Sequence, residues 1–198
     1  MAKAFKRKGN RFVARLDEVE REVVVGLLEQ TQEFLAPSHR EPTGDTFDDL
    51  VATLGVRPLD DPAITPQGPP DPALERLLPT ANREDPAIAA EFRRLTERGL
   101  RERKSDNLAI AISALLAAEG DKGDKVRLDQ AQAQAMVVAL TDVRLLLGER
   151  LGLQTDDDAD ALQDRLEAAS ADDPQLYLAA YYDFMTWLQE SLTQALMS

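Results

Sequence analysis

An all-α fold, a helical bundle with one long central helix and a small N-terminal β-hairpin, is the class that three observations predict. Apolar residues recur at helical spacing through several segments. Acid–proline pairs and an acid-x-x-glutamine pattern open those segments, and glycines close two of them. At 198 residues the chain is long enough to bury a core as one helical domain, 1–198. Its 43% hydrophobic and 30% charged residues are ordinary for a globular protein and too apolar for a disordered one.

The elements follow in order. Residues 1–13 contain the hairpin: Phe5 to Val13 pairs across a Gly9-Asn10 turn, with Phe5 and Phe12 as apolar anchors that need a helix to pack on. Leu16, Val19, Val23, Leu27 and Phe34 mark the face of a first helix that ends before Pro37. Residues 36–46 read as loop, and Asp48 to Leu54 as a short helix closed by Gly55. Residues 56–71 carry prolines at 58, 62, 66, 69 and 70 without a helical period, a Pro-rich loop. Pro72 to Leu78 makes another short helix.

Asp85-Pro86 then opens the long helix, 85–116. Ile88, Phe92 and Leu95 share one of its faces, and Leu108, Ile112 and Leu115 resume an apolar stripe near its end. Gly120 to Gly123 turns the chain. Asp129 and Gln132 have capping-box spacing and start a helix running to Leu151, closed by Gly152. Thr155 to Ala169 is an acid-led helix whose early aspartates suit the N-terminal dipole. Asp173-Pro174 starts the last helix, with Tyr177, Tyr181, Phe184, Leu188 and Leu192 on one side. Its aromatics spill onto two faces, so core packing competes with a groove for a protein partner or for a second copy in a homodimer.

Composition removes whole classes of function. There is no cysteine, hence no disulfide, thiolate metal site or thiol redox sensing. His39 is the one histidine and sits in a polar loop, too little imidazole for a zinc, haem or di-iron centre. We expect no catalytic residues, no metal and no cofactor: a phosphate-binding glycine loop is lacking, and Gly148 and Gly152 lie at a helix end. No apolar run approaches the ~20 residues that span a bilayer. Lys6, Arg7 and Lys8 lead into Gly9-Asn10 rather than an apolar stretch, which points to a cytoplasmic protein without a signal peptide or membrane association. The net charge of −13 opposes nucleic-acid binding by the surface as a whole. Its distribution is polar, however. Lys3, Lys6, Arg7, Lys8 and Arg11 cluster at the start, and Arg165 is the one base among residues 151–198.

The long helix holds the candidate site. From Thr96 to Asn107 the apolar stripe lapses, and the face traced back from Leu108 runs through Lys104, Arg101, Glu97 and Arg94. Glu97–Arg101 and Glu91–Arg94 are spaced as helix-face ion pairs, and Arg93 lies beside them. Asp142 and Arg144 sit in the middle of a later helix, where a buried carboxylate needs a cation. The prediction is a cross-helix bond from Arg94, Glu97 or Arg101 to the helix carrying Asp142 and Arg144, because unpaired buried charge is costly. The same charges can instead form a surface that docks a protein partner.

The segments AAEFRRLTERGLRERK (89–104), LTDVRLLLGERLGL (140–153) and FMTWLQESLTQAL (184–196), supported by residues 70–92 and 6–16, resemble an uncharacterised actinobacterial family labelled the oxidative stress regulator AosR. The resemblance covers nearly the whole chain. It implies a transcriptional regulator encoded near a Clp-protease adaptor, and it brings Glu91, Phe92, Arg93, Arg94, Thr96, Glu97, Arg101, Lys104, Asp142 and Arg144 as motif residues without assigned roles. The family's redox label rests on cysteine chemistry, which this chain lacks. The expectation carried forward is a non-enzymatic regulatory protein working through protein–protein contacts, with the transcription machinery as the partner class. The alternative is a DNA-binding regulator using the basic hairpin and the long-helix arginines.

Overall fold

The chain packs helices around the buried side of a three-stranded sheet. The structure, a computed structural model, describes residues 1–36, 71–79, 86–118, 124–170 and 173–198. The expected 48–54 helix, the loop at 37–46 with His39, the Pro-rich stretch to residue 70 and the 120–123 turn lie outside these residues. So do the side chains of Glu91, Arg93 and Arg94.

Strand β1 (Lys3–Lys8) and β2 (Arg11–Arg15) form an antiparallel hairpin turned at Gly9, whose φ of 63° suits a residue without a Cβ. The all-α reading needs amending here, and the hairpin runs past residue 13. Lys125–Leu128 forms β3, pairing antiparallel with β2 in the order β1-β2-β3. Four residues carry too short an alternation to stand out, and the strand exists through its pairing with a distant hairpin. Phe5, Phe12, Ala14, Val126 and Leu128 are buried on the inner side.

Asp17 starts α1 (Glu18–Leu35) with a capping box: its carboxylate accepts the Glu20 N–H at 3.0 Å, and the Glu20 carboxylate accepts the Asp17 N–H at 2.9 Å. The buried face is Arg21, Val24, Val25, Leu28, Thr31 and Leu35, rotated one residue from the expected one, and Val19 is exposed. The unbroken apolar run from Val23 to Val25, followed by Leu27-Leu28, leaves the phase undefined in sequence; packing chooses it. After α2 (Pro72–Leu77), the long α3 (Pro86–Leu116) crosses the molecule. α4 (Gln130–Leu151) follows β3 directly. α5 (Asp156–Ala168) and α6 (Pro174–Met197) complete the fold. Among the described residues no helix is long and apolar enough to cross a membrane.

Capping fixes α4 at both ends. Asp129 and Gln132 make the reciprocal bonds at 2.9 and 3.0 Å, and Gly152 ends the helix at φ 76°. Asp129→Ala is expected to cost about 1 kcal/mol, read from the urea midpoint at unchanged slope. A cost near zero would mean that β3, rather than the cap, holds the start of α4.

The core joins α1, α3, α4, α6 and the inner sheet face, centred on fully buried Leu28, Leu108, Leu115, Met136, Leu140, Met185 and Leu188. On α6 the buried line is Ala179, Met185, Leu188, Ser191, Leu192 and Ala195. Tyr181 and Phe184 are half-buried, and Tyr177 is exposed. Phe184 stacks on the partly exposed Trp187, centroids 5.9 Å apart and rings 15° from parallel.

Candidate interaction site

The polar stretch of α3 is where α1 and α4 meet it. Arg101 points to α1. Its Nε and Nη2 donate to Glu97 Oε1 at 2.9 and 2.7 Å, and its Nη1 donates to the Leu35 carbonyl at 2.7 Å. Leu35 ends α1, and no basic residue of α1's own occupies its last turn. Arg101 therefore supplies from outside the donor that a helix C-terminus lacks. One turn later, Gln32 on α1 donates through Nε2 to the Ser105 carbonyl at 3.1 Å.

Lys104 takes the other direction. Its ammonium donates to Asp142 Oδ1 on α4, with the lysine side chain 15% and the aspartate 1% exposed. The cross-helix bond expected from Arg94, Glu97 or Arg101 to the Asp142 helix is thus made by Lys104, while Glu97 and Arg101 are spent on each other and on α1. The reason is rotational: Lys104 precedes Leu108 by one turn on the face that α4 covers, and Arg101 lies toward α1. Among the described residues Asp142 Oδ2 has no hydrogen-bond partner. Burial pushes the Asp142 carboxyl above its ordinary value, against the lowering effect of the Lys104 hydrogen bond and charge.

Arg144 does not join this pair. It turns to α6, where Nε donates to Thr186 Oγ1 at 2.9 Å and Nη1 to Gln189 Oε1 at 2.6 Å. Its guanidinium carbon stands 5.4 Å from the centroid of the Tyr182 ring. Gln189 closes the layer by donating to Thr141 Oγ1 at 2.6 Å and the Val137 carbonyl at 3.2 Å. The sequence offered no sign of Thr186 and Gln189 as partners, since both look like ordinary polar helix residues.

Two surfaces flank this interior. On α3, Phe92 is 42% and Leu95 67% exposed, one turn apart, beside the exposed Arg98–Glu102 pair at 2.9 Å. The outer sheet face is the second. Register places Lys3, Arg15 and Lys125 in one row, Lys6, Val13 and Arg127 in the next, and Lys8 opposite Arg11. Every charged residue in these rows is a base. The start of the chain showed four of these bases, Lys3, Lys6, Lys8 and Arg11, clustered; only the pairing of β3 adds Lys125 and Arg127 to the same face.

No curated protein and no solved structure matches this chain. One family model does, across nearly its whole length: residues 2–196 match the family described as a domain of unknown function, DUF2017, and the chain belongs to that family.

Proposed function

We propose that this is a non-enzymatic regulatory protein acting by protein–protein contact, with the transcription machinery as the partner class and the cytoplasm as its compartment. The AosR resemblance suggests that partner class. The observation that supports contact is the exposed Phe92–Leu95 pair on α3, rimmed by the Arg98–Glu102 ion pair. An apolar centre at i,i+3 with a charged rim is the pattern by which a helix enters a partner's groove. Further along the same helix, the bonds of Arg101, Lys104 and Ser105 anchor α3 to α1 and α4.

Affinity capture from its own cytoplasm, comparing the wild type with the Phe92→Glu, Leu95→Glu double variant, tests this reading. A partner enriched by the wild type and lost from the equally folded variant is the expected result. An identical set of captured proteins would overturn it.

The basic outer face of the sheet favours a second reading, in which the chain is a DNA-binding regulator. Duplex binding through that face should weaken with a log–log salt slope of about −0.9 per phosphate neutralised. No duplex binding at low salt removes this reading. Two of the long-helix arginines, Arg98 and Arg101, contribute less to it, since both are paired with glutamates.

A further inference from the structure

A cleft of about 130 Å³ opens between α2, α4 and α6, lined by Arg76, Thr141, Arg144, Gly148 and Tyr182, with Leu145 and Leu153 as its apolar part. Among the described residues, no carboxylate lies within ion-pair distance of Arg144. Its acceptors are the neutral Thr186 and Gln189 and, at 3.5 Å, the Tyr182 hydroxyl. Each of its nitrogens has committed one N–H, which leaves a second on Nη1 and on Nη2. Tyr182 accepts from Arg144, so its own proton is available to donate.

Arg76 reaches the same cleft from α2. Its Nε is 3.0 Å from Glu149 Oε2, and among the described residues neither terminal nitrogen has a hydrogen-bond partner. Gly148 lies between the two: a Cβ there would stand in ordinary contact, 3.9 Å from Arg76 Nη1 and 3.6 Å from Tyr182 Cε2. The Thr141 hydroxyl is already used, donating to the Val137 carbonyl at 2.9 Å and accepting from Gln189. The cleft thus offers two guanidinium groups and a phenol as donors, with Glu149 as the one carboxylate on its arginines among the described residues.

We propose that this cleft binds a small oxyanion, a phosphate or a carboxylate, held between Arg76 and Arg144 with the Tyr182 hydroxyl as a third donor. Guanidinium groups match such oxygens in pairs, and a half-buried positive charge among neutral acceptors is the site an anion completes. This is independent of the contact surface on α3.

Calorimetry and thermal melting in oxyanion-free buffer test it, titrating inorganic phosphate in one arm and acetate in the other, with sodium chloride at matched ionic strength as control. The expected result is one saturable site for at least one oxyanion and none for chloride; the arm that saturates names the chemistry. Arg144→Gln should weaken that binding by about tenfold or more, the loss of charge-assisted hydrogen bonds. Should Arg144→Gln fail to fold, Glu149→Gln decides in the other direction: it frees Arg76 and should tighten binding. No saturable uptake by the wild type overturns the proposal. So does unchanged affinity in a folded Arg144→Gln or in Glu149→Gln.

Discussion

Lys104→Ala is expected to destabilise the protein by about 3–5 kcal/mol at neutral pH, the cost of leaving a buried charge without its partner. Asp142 is 1% exposed, and among the described residues its Oδ2 has no hydrogen-bond partner, so without Lys104 none of them offsets the desolvation of the carboxylate. Its pKa is raised from 3.8 by burial. A carboxyl of raised pKa binds its proton more tightly in the folded state than in the unfolded one. Stability from this group is therefore greatest at low pH and is lost as pH rises through the folded pKa. Without the ammonium the pKa rises further, so the Lys104→Ala penalty should shrink as the buffer is made mildly acidic and Asp142 protonates. Urea denaturation of wild type and variant at the two pH values measures this. A penalty below 1 kcal/mol that does not change with pH would place the pair among exposed bridges.

The double variant Lys104→Met, Asp142→Leu separates stability from specificity. Buried ion pairs replaced by apolar residues of similar size are often neutral or more stable by 1–4 kcal/mol. We expect the double variant to recover most of what Lys104→Ala loses. The terminal carboxylates run the opposite way. Asp17, held low chiefly by the Glu20 N–H, and Asp158, held low chiefly by the Gln154 N–H, contribute stability above their ordinary value that is lost as pH falls.

Leu188→Ala is expected to cost about 2–5 kcal/mol, the transfer energy of the lost methyl groups plus the cavity left behind. Leu188 is fully buried on α6 among the residues that join it to α4. Leu95→Ala, on the exposed turn of α3, should change stability by no more than about 0.5 kcal/mol. Guanidinium midpoints at a common slope compare the two. Near-equal losses would mean that Leu95 is covered, and the contact surface on α3 would go with it.

The described helices were written locally, and so were legible in the sequence. Asp17, Asp129 and Asp173 each accept a backbone N–H at the start of their helix, and Gly152 takes the left-handed conformation that stops α4. Those signals need only neighbours a turn away, so α4 ends where the sequence ends it. What depended on distant partners was not legible. β3 is a strand because β2 lies beside it, and four residues cannot announce that alone. The face of α1 was set by packing, since an apolar run offers more than one phase. In the candidate site, residue types and the lapse in the stripe left two readings open, charge inside the packing of α3 or a surface for a partner, and only the packing turned Arg101 toward α1 and Lys104 toward α4. Which cation met Asp142 was decided by helix rotation: Lys104 faces α4, while Arg101 faces the open end of α1. The sequence by itself determined the described helices and their caps, and marked the stretch of α3 where charge interrupts the apolar stripe. The tertiary structure alone decided the pairing of that charge, the third strand and the basic sheet face, because each joins residues whose separation along the chain leaves no local trace.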